Sequence, residues 1–264
     1  MFSHLERPDA AVGGVGFAFT DRTGGVTPEP MGSLNLGRSD VDDVARVEQN
    51  FDLVTAALGV PRVVTVHQVH SAGVVVVDDA LLSSWGTTSH LGSSRPGQPP
   101  LPVGDAVVTR APDVALAIRV ADCLPVLLAD PRAGVIAAAH AGRPGLFAGI
   151  LPRTVEVMVA SGADRIEAVI GPHVCGACYE VPQEMVDQLT PDLPATRATT
   201  SWGTPSLDLA AGAVDQLERL GVSVRVHDAC TRTEPSLHSH RRDGVLAGRL
   251  AGLVWRVAGR SCAG

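Results

Sequence analysis

The chain has 264 residues, 45% of them apolar, 19% charged and 3% aromatic, with a net charge of -7. That length suffices for one ordinary domain with a full core, and the negative charge and scarce aromatics argue against a nucleic-acid surface, which needs a positive field and stacking platforms. All 21 basic residues are Arg and none is Lys, which removes a Schiff-base lysine, a lysine general base and the phosphate-loop lysine.

In chain order, the opening segment Met1-Phe-Ser-His-Leu-Glu-Arg7 lacks the charged-then-apolar plan of a secretory signal. No apolar run approaches the roughly 18 residues of a membrane helix. A cytoplasmic protein without a membrane partner is expected. Val44, Val47, Phe51, Val54 and Leu58 recur at three- and four-residue steps behind Asp42 and Asp43, which predicts a capped helix over 44–58. Short β-branched runs at 63–66, 73–77, 106–108, 114–120, 126–128 and 134–139 read as buried strands closed by Asp, Gly or Pro. Helical spacing returns at 146–160 and at 207–220, the latter stopped by Gly221. Several strands follow one another without an intervening helix from 106 to 139. A layered α/β fold with mixed sheets flanked by helices, in a single domain over 1–264, therefore fits better than a strictly alternating doubly wound sheet. Residues 83–102, rich in Ser, Gly, Thr and Pro, read as a flexible surface insertion.

Familiar catalytic signatures are missing: Gly14-Val-Gly16 lacks the third glycine of a dinucleotide loop, and neither G-x-S-x-G nor H-E-x-x-H occurs. Histidine and cysteine remain. Five cysteines, an odd number with no export signal, fit reduced thiols or metal ligands better than a disulfide framework. His67 and His70 stand at one strand end, Cys123 follows Asp122 between two apolar strands, and His140 ends another strand. Such residues can converge on one sheet edge and hold zinc, or copper, with a position left for water. A buried thiol beside hydrogen-bonded turn histidines accounts for the same spacing. A second set, Cys175-Gly-Ala-Cys178 with His227-Asp-Ala-Cys230, offers a Cys3His structural zinc site, a redox pair or plain thiols. Arg22 and Arg241 lie beside glycine turns, where a guanidinium can receive a phosphate bidentately. Asn35 and Asn50 can hold a polar substrate or satisfy local backbone groups. His238-Ser-His240 forms the single H-x-H pair.

The order of the motifs is distinctive. Arg22-Thr-Gly-Gly-Val26, Ser33-Leu-Asn-Leu36, Gln68-Val-His-Ser71, Gly104-Asp-Ala106, Ala121-Asp-Cys-Leu-Pro125, Asp130-Pro131, His140-Ala-Gly142, Ile170-Gly-Pro172, Tyr179-Glu-Val181, Cys230-Thr231 and Arg241-Arg-Asp-Gly244 span most of the chain. In this order they resemble the YfiH family, whose members carry the labels multicopper polyphenol oxidase (laccase), purine nucleoside phosphorylase and peptidoglycan editing factor. The resemblance implies a zinc site on His70, Cys123 and His140. It also implies phosphorolysis of adenosine, inosine and methylthioadenosine, and deamination of adenosine. On that footing Asp122 would shuttle protons, and Arg22, Asn35, Tyr179 and Arg241 would contact nucleoside and phosphate. Two departures border the implied pocket and bear on substrate range: Arg143-Pro-Gly145 replaces the usual Trp-Arg-Gly, and Leu237-His-Ser-His240 replaces an aromatic stretch. The laccase label fails on ligand count. Four coppers demand about ten histidines in repeated pairs, whereas this chain has nine His and no H-C-H. Two rival expectations follow from the same residues: an amidase or esterase with Cys123 as nucleophile and His140 or His70 as base, suited to cell-wall editing, and a non-catalytic partner in cell-wall synthesis.

Overall fold

A computed structural model describes residues 1–9, 14–37, 42–84 and 100–257. Thirteen strands and seven helices are named within them. The strands are β1 (Phe2–Glu6), β2 (Gly14–Thr20), β3 (Arg62–Val64), β4 (Val74–Val77), β5 (Ala106–Thr109), β6 (Val114–Val120), β7 (Leu124–Asp130), β8 (Val135–Ala141), β9 (Glu167–Ile170), β10 (Arg197–Thr199), β11 (Pro205–Leu207), β12 (Ser223–Val226) and β13 (Leu250–Val257). The helices are α1 (Val44–Leu58), α2 (Asp79–Ser84), α3 (Arg143–Phe147), α4 (Ile150–Ala160), α5 (Gln183–Leu189), α6 (Leu209–Glu218) and α7 (His240–Asp243).

Two mixed sheets carry the fold, one ordered β1-β2-β13-β6-β3 and the other β12-β9-β7-β8-β5-β4, with β10 and β11 as a separate pair. The period of two along each strand explains how they stack. In β6, Leu116 and Ile118 point into a core shared with Leu127, Ile136, Ala138 and Val169 of the second sheet. The alternate residues Ala115 and Ala117 face Val47, Phe51 and Val54 of α1. In β7 and β8, Val126, Leu128, Ala137 and Ala139 face Ile150, Leu151, Val155 and Met158 of α4 and Ala213 and Leu217 of α6. The result is a four-layer arrangement of helix, sheet, sheet and helices. Both faces of the central strands β6, β7 and β8 are covered, which is why they read as unbroken apolar runs. His140 follows Ile136 and Ala138 at steps of two, so it lies on the inter-sheet side at the end of β8.

Helix α1 matches its predicted span, with the Asp43 carboxylate accepting the Ala45 amide at 2.8 Å and Gly59 closing it in the left-handed region at φ 71°. The helix expected over 146–160 is instead two. Gly149, at φ 82°, turns the chain between α3 and α4, and Pro144 opens α3. Of the insertion expected at 83–102, residues 85–99 lie outside the described residues; at its end the Pro102 carbonyl accepts the His67 amide at 2.9 Å. No described helix is long and apolar enough to cross a membrane.

Candidate metal centre and cleft

The loop after β3 is fastened before it presents a ligand. Gln68 makes a reciprocal pair with the main chain of Arg119 on β6, Nε2 donating to its carbonyl at 2.8 Å and Oε1 accepting its amide at 2.9 Å. Three successive amides then close around one carboxylate: Val69, His70 and Ser71 donate to Asp105 at 2.6 to 3.2 Å, and the Ser71 hydroxyl adds a fourth bond at 2.8 Å. This nest holds His70 at φ 61°, a left-handed conformation uncommon outside glycine. Asp105 itself precedes β5 and is fully buried. Its Oδ1 also accepts the Nδ1 proton of buried His140 at 2.9 Å.

Cys123 comes from the turn between β6 and β7. Asp122, before it, adopts φ 87°. Its carbonyl accepts the Val174 amide at 3.0 Å. Its carboxylate accepts the hydroxyls of Thr231 and Ser239 and the Arg241 amide at 2.6 to 2.7 Å. The strained turn thereby aims Cys123 at the histidines. Cys123 Sγ lies 3.8 Å from His70 Nε2, and the donor atoms of His70, Cys123 and His140 all fall within 4.8 Å of one another. The two rings meet edge to face at 4.7 Å. Gly142 is required by this approach, since a Cβ there would come within 2.6 Å of the His70 ring and 3.1 Å of Cys123 Sγ.

The donors are electrostatically matched. Burial pushes the Cys123 thiol up, but His140 and His70 outweigh it and bring the thiol down to about 6. Burial likewise opposes the charged form of His140, yet Asp105 and Cys123 raise it to about 9. Burial also works against the Asp105 carboxylate, and the bonds from His140, Ser71 and His70 overcome it to hold that group well below the usual range. A polarised thiolate and two imidazoles, one fixed through Nδ1 by a buried carboxylate, form a donor set of the kind that binds zinc, with the outer hydrogen bond that orients a ligating histidine. The residues fit the metal that the motifs imply.

The trio opens into a cleft of about 760 Å³ lined also by Val44, His67, Leu101, Val120, His240 and the arginines Arg119 and Arg249. Arg249 is anchored through Nη1 on the carbonyls of Ala247 and Gly248 at 2.7 and 3.0 Å, and Arg119 through Nη2 on the Val66 carbonyl at 2.9 Å. Among the described residues, the lining contains no Phe, Tyr or Trp.

The remaining expected site residues lie elsewhere. Arg22 donates to the Pro30 carbonyl at 3.0 Å and sits 3.9 Å from the Asp243 carboxylate. Asn35 is fully buried, linking Asp42, Gly37 and the Arg249 amide. Arg241 lies over the Tyr179 ring at 4.6 Å and donates to the Glu180 carbonyl at 2.9 Å. Of the two family departures, Arg143 reaches the Met185 sulfur at 2.7 Å, and of the H-x-H pair only His240 lines the cleft, since His238 is buried against the Leu34 carbonyl at 2.9 Å. The Cys3His expectation needs correction. Cys175, Cys178 and Cys230 do gather, but His227 is drawn onto the rings of His4 and Phe19 at 5.2 and 6.3 Å. Sequence reading assigned no role to Asp105, Arg119 or Arg249. For Asp105 a signal existed, an acidic residue in Gly104-Asp-Ala106 just before an apolar strand; an arginine on a strand carries none.

A layered α/β protein with a His2Cys donor set lining a cleft is the class that fold and site define, and solved structures are similar to it over nearly the whole chain. A Neisseria meningitidis DUF152 protein aligns over 98% of this chain and 99% of its own, with 32% identity and a TM-score of 0.78. YlmD from Geobacillus stearothermophilus aligns over 96% of both chains, with 30% identity and a TM-score of 0.80. The chain belongs to the YfiH/DUF152 family, whose profile, described as multi-copper polyphenol oxidoreductase laccase, matches residues 16–257. Among relatives, a purine nucleoside phosphorylase of Streptomyces coelicolor is 50% identical over 249 residues, covering 92% of this chain and 96% of its own length. A purine nucleoside phosphorylase of Deinococcus radiodurans is 39% identical over 260 residues, covering 97% and 92%.

Proposed function

We propose that this protein is a zinc-dependent purine nucleoside phosphorylase acting on adenosine, inosine and methylthioadenosine, with adenosine deamination as a second reaction of the same cleft. The observation that carries the reading is the convergence of a His2Cys donor set and two arginines, Arg119 and Arg249, on one cavity; the names of the relatives supply the substrate class. Zinc held by His70, Cys123 and His140 would supply a Lewis acid and an activated water.

The chain's own residues account for the rest. Arg249 and Arg119 hold phosphate by charge-assisted bonds and aim one oxygen at the sugar carbon. The new C–O bond forms as the bond to the purine nitrogen breaks, and the electron pair leaves with the base. His240, whose Nδ1 donates to the Gly244 carbonyl at 3.0 Å, can in its imidazolium form return the Nε2 proton to that base, leaving the neutral Nδ1–H ring. Val44, Leu101 and Val120 offer the purine an apolar wall in place of an aromatic sandwich. Asp122 serves this reading as the clamp that orients Cys123, because both its oxygens are occupied. Copper can enter the same three donors, which makes oxidase chemistry incidental.

A second reading rests on one specific feature, the chain Asp105–His140–Cys123, which has the order of a cysteine-nucleophile triad. It makes the protein an amidase or esterase. Incubation with adenosine, with and without phosphate, followed by resolution of adenine, inosine and hypoxanthine, tests the first reading: phosphate-dependent adenine supports it, and no nucleoside product in either condition refutes it.

A further inference from the structure

Outside the cleft, three cysteines from two separate loops are brought together. Cys175 and Cys178 flank a tight turn after β9, in which the amides of Cys178 and Tyr179 both donate to the Cys175 carbonyl at 2.9 and 3.0 Å. Cys230 lies in the loop after β12, which runs parallel to the first through the bridge between His173 and Cys230. The three sulfurs fall within 4.8 Å of one another, and the Cys175 amide points at the Cys230 sulfur at 3.5 Å. An amide aimed at sulfur is the bond that stabilises a metal-bound thiolate. Gly176 permits the turn, since a Cβ there would come within 2.8 Å of Asp208, the residue that caps α6. Three sulfurs on one ion sit roughly 4 Å apart when each bond is about 2.3 Å, so closure by at most about an ångström completes the geometry.

We propose that Cys175, Cys178 and Cys230 bind one thiophilic d10 cation, Zn2+ or Cu+, as a structural site separate from the cleft and independent of the reaction assigned there. Each thiol gives its proton to solvent as its sulfur takes the metal. The consequence of such a staple is local. Val174, next to Cys175, donates to the Asp122 carbonyl at 3.0 Å, and Thr231, next to Cys230, donates to the Asp122 carboxylate at 2.6 Å. The cation would thus tie together the two loops that grip the turn carrying Cys123.

The test is native mass spectrometry of the intact chain, stripped with chelator under reducing conditions and reloaded with Zn2+ or, anaerobically, with Cu+. Wild type is expected to take up two equivalents, Cys123→Ser one, and Cys230→Ser one. Cadmium loading of Cys123→Ser should still give a thiolate-to-metal charge-transfer band, and metal should raise the Tm of that variant. The Cys123→Ser measurements stand alone if Cys230→Ser fails to fold. Uptake of Cu+ but not Zn2+ by Cys123→Ser, or the reverse, identifies the cation. The proposal is overturned if fully reduced Cys123→Ser binds neither cation and shows no cadmium band, or if two of the three cysteines are joined by a disulfide in the freshly isolated chain.

Discussion

Asp105 and His140 form a buried pair, carboxylate Oδ1 to imidazole Nδ1 at 2.9 Å, and the same carboxylate accepts the amides that shape the His70 turn. One residue thus sets the orientation of two of the three candidate metal donors. Replacing it by Asn should lower zinc affinity about 10–100-fold, measured by competition with a chromophoric chelator. Unchanged affinity would show that the pair plays no part in metal binding.

The same group gives a pH signature. Its folded pKa lies below the ordinary 3.8, so it contributes stability that is complete well above that value and is lost as pH falls toward the folded pKa. Wild type should therefore lose Tm more steeply than Asp105→Asn between pH 5 and 3, followed by differential scanning calorimetry on metal-free protein. Parallel curves would contradict the assignment.

Asp122 is predicted to act as a clamp. Asp122→Ala strands two hydroxyls and an amide, at a cost on the order of 3 kcal/mol, read by urea denaturation. In Asp122→Asn the rate should fall while both limbs of the pH–rate profile remain. Loss of one limb would instead make Asp122 a proton carrier.

Cys123 separates the two enzymatic readings. In metal-free protein its alkylation by iodoacetamide should rise with a midpoint near the thiol's pKa of about 6, because the thiolate is the reacting form. Stoichiometric zinc should suppress the reaction. Rapid alkylation of the protein as isolated, with no metal present, would favour the cysteine-nucleophile reading.

Arg249 is assigned to phosphate. A lost charge-assisted bond is worth about 1.5–3 kcal/mol, so Arg249→Ala should raise the phosphate KM by roughly 10–100-fold with a smaller effect on nucleoside KM. Arg22→Ala, outside the cleft, should leave the phosphate KM near wild type. The reverse pattern would move the anion site.

Much of this architecture is legible in the chain because period and capping are local. The helix α1 declares itself by Val47, Phe51 and Val54 behind Asp43, and β6 by its apolar run. Strands β1, β2 and β13 are not read from pattern, since Gly14-Val-Gly16 and the glycine within β13 weaken the β signal and their pairing spans most of the chain. The donor trio is legible as residue types at strand ends, but its convergence depends on two left-handed residues, His70 and Asp122, that no local rule predicts. His227 went the other way: its spacing from Cys230 suggested a ligand, and ring contacts with His4 and Phe19 claimed it.

The most direct measurement is zinc content and phosphate-dependent release of adenine from adenosine, taken together on wild type and on the chain with His70, Cys123 and His140 all replaced by Ala. The account predicts that the replacement removes the cleft zinc and abolishes adenine release while the protein stays folded by circular dichroism. Adenine release at the wild-type rate from the folded triple variant would contradict it.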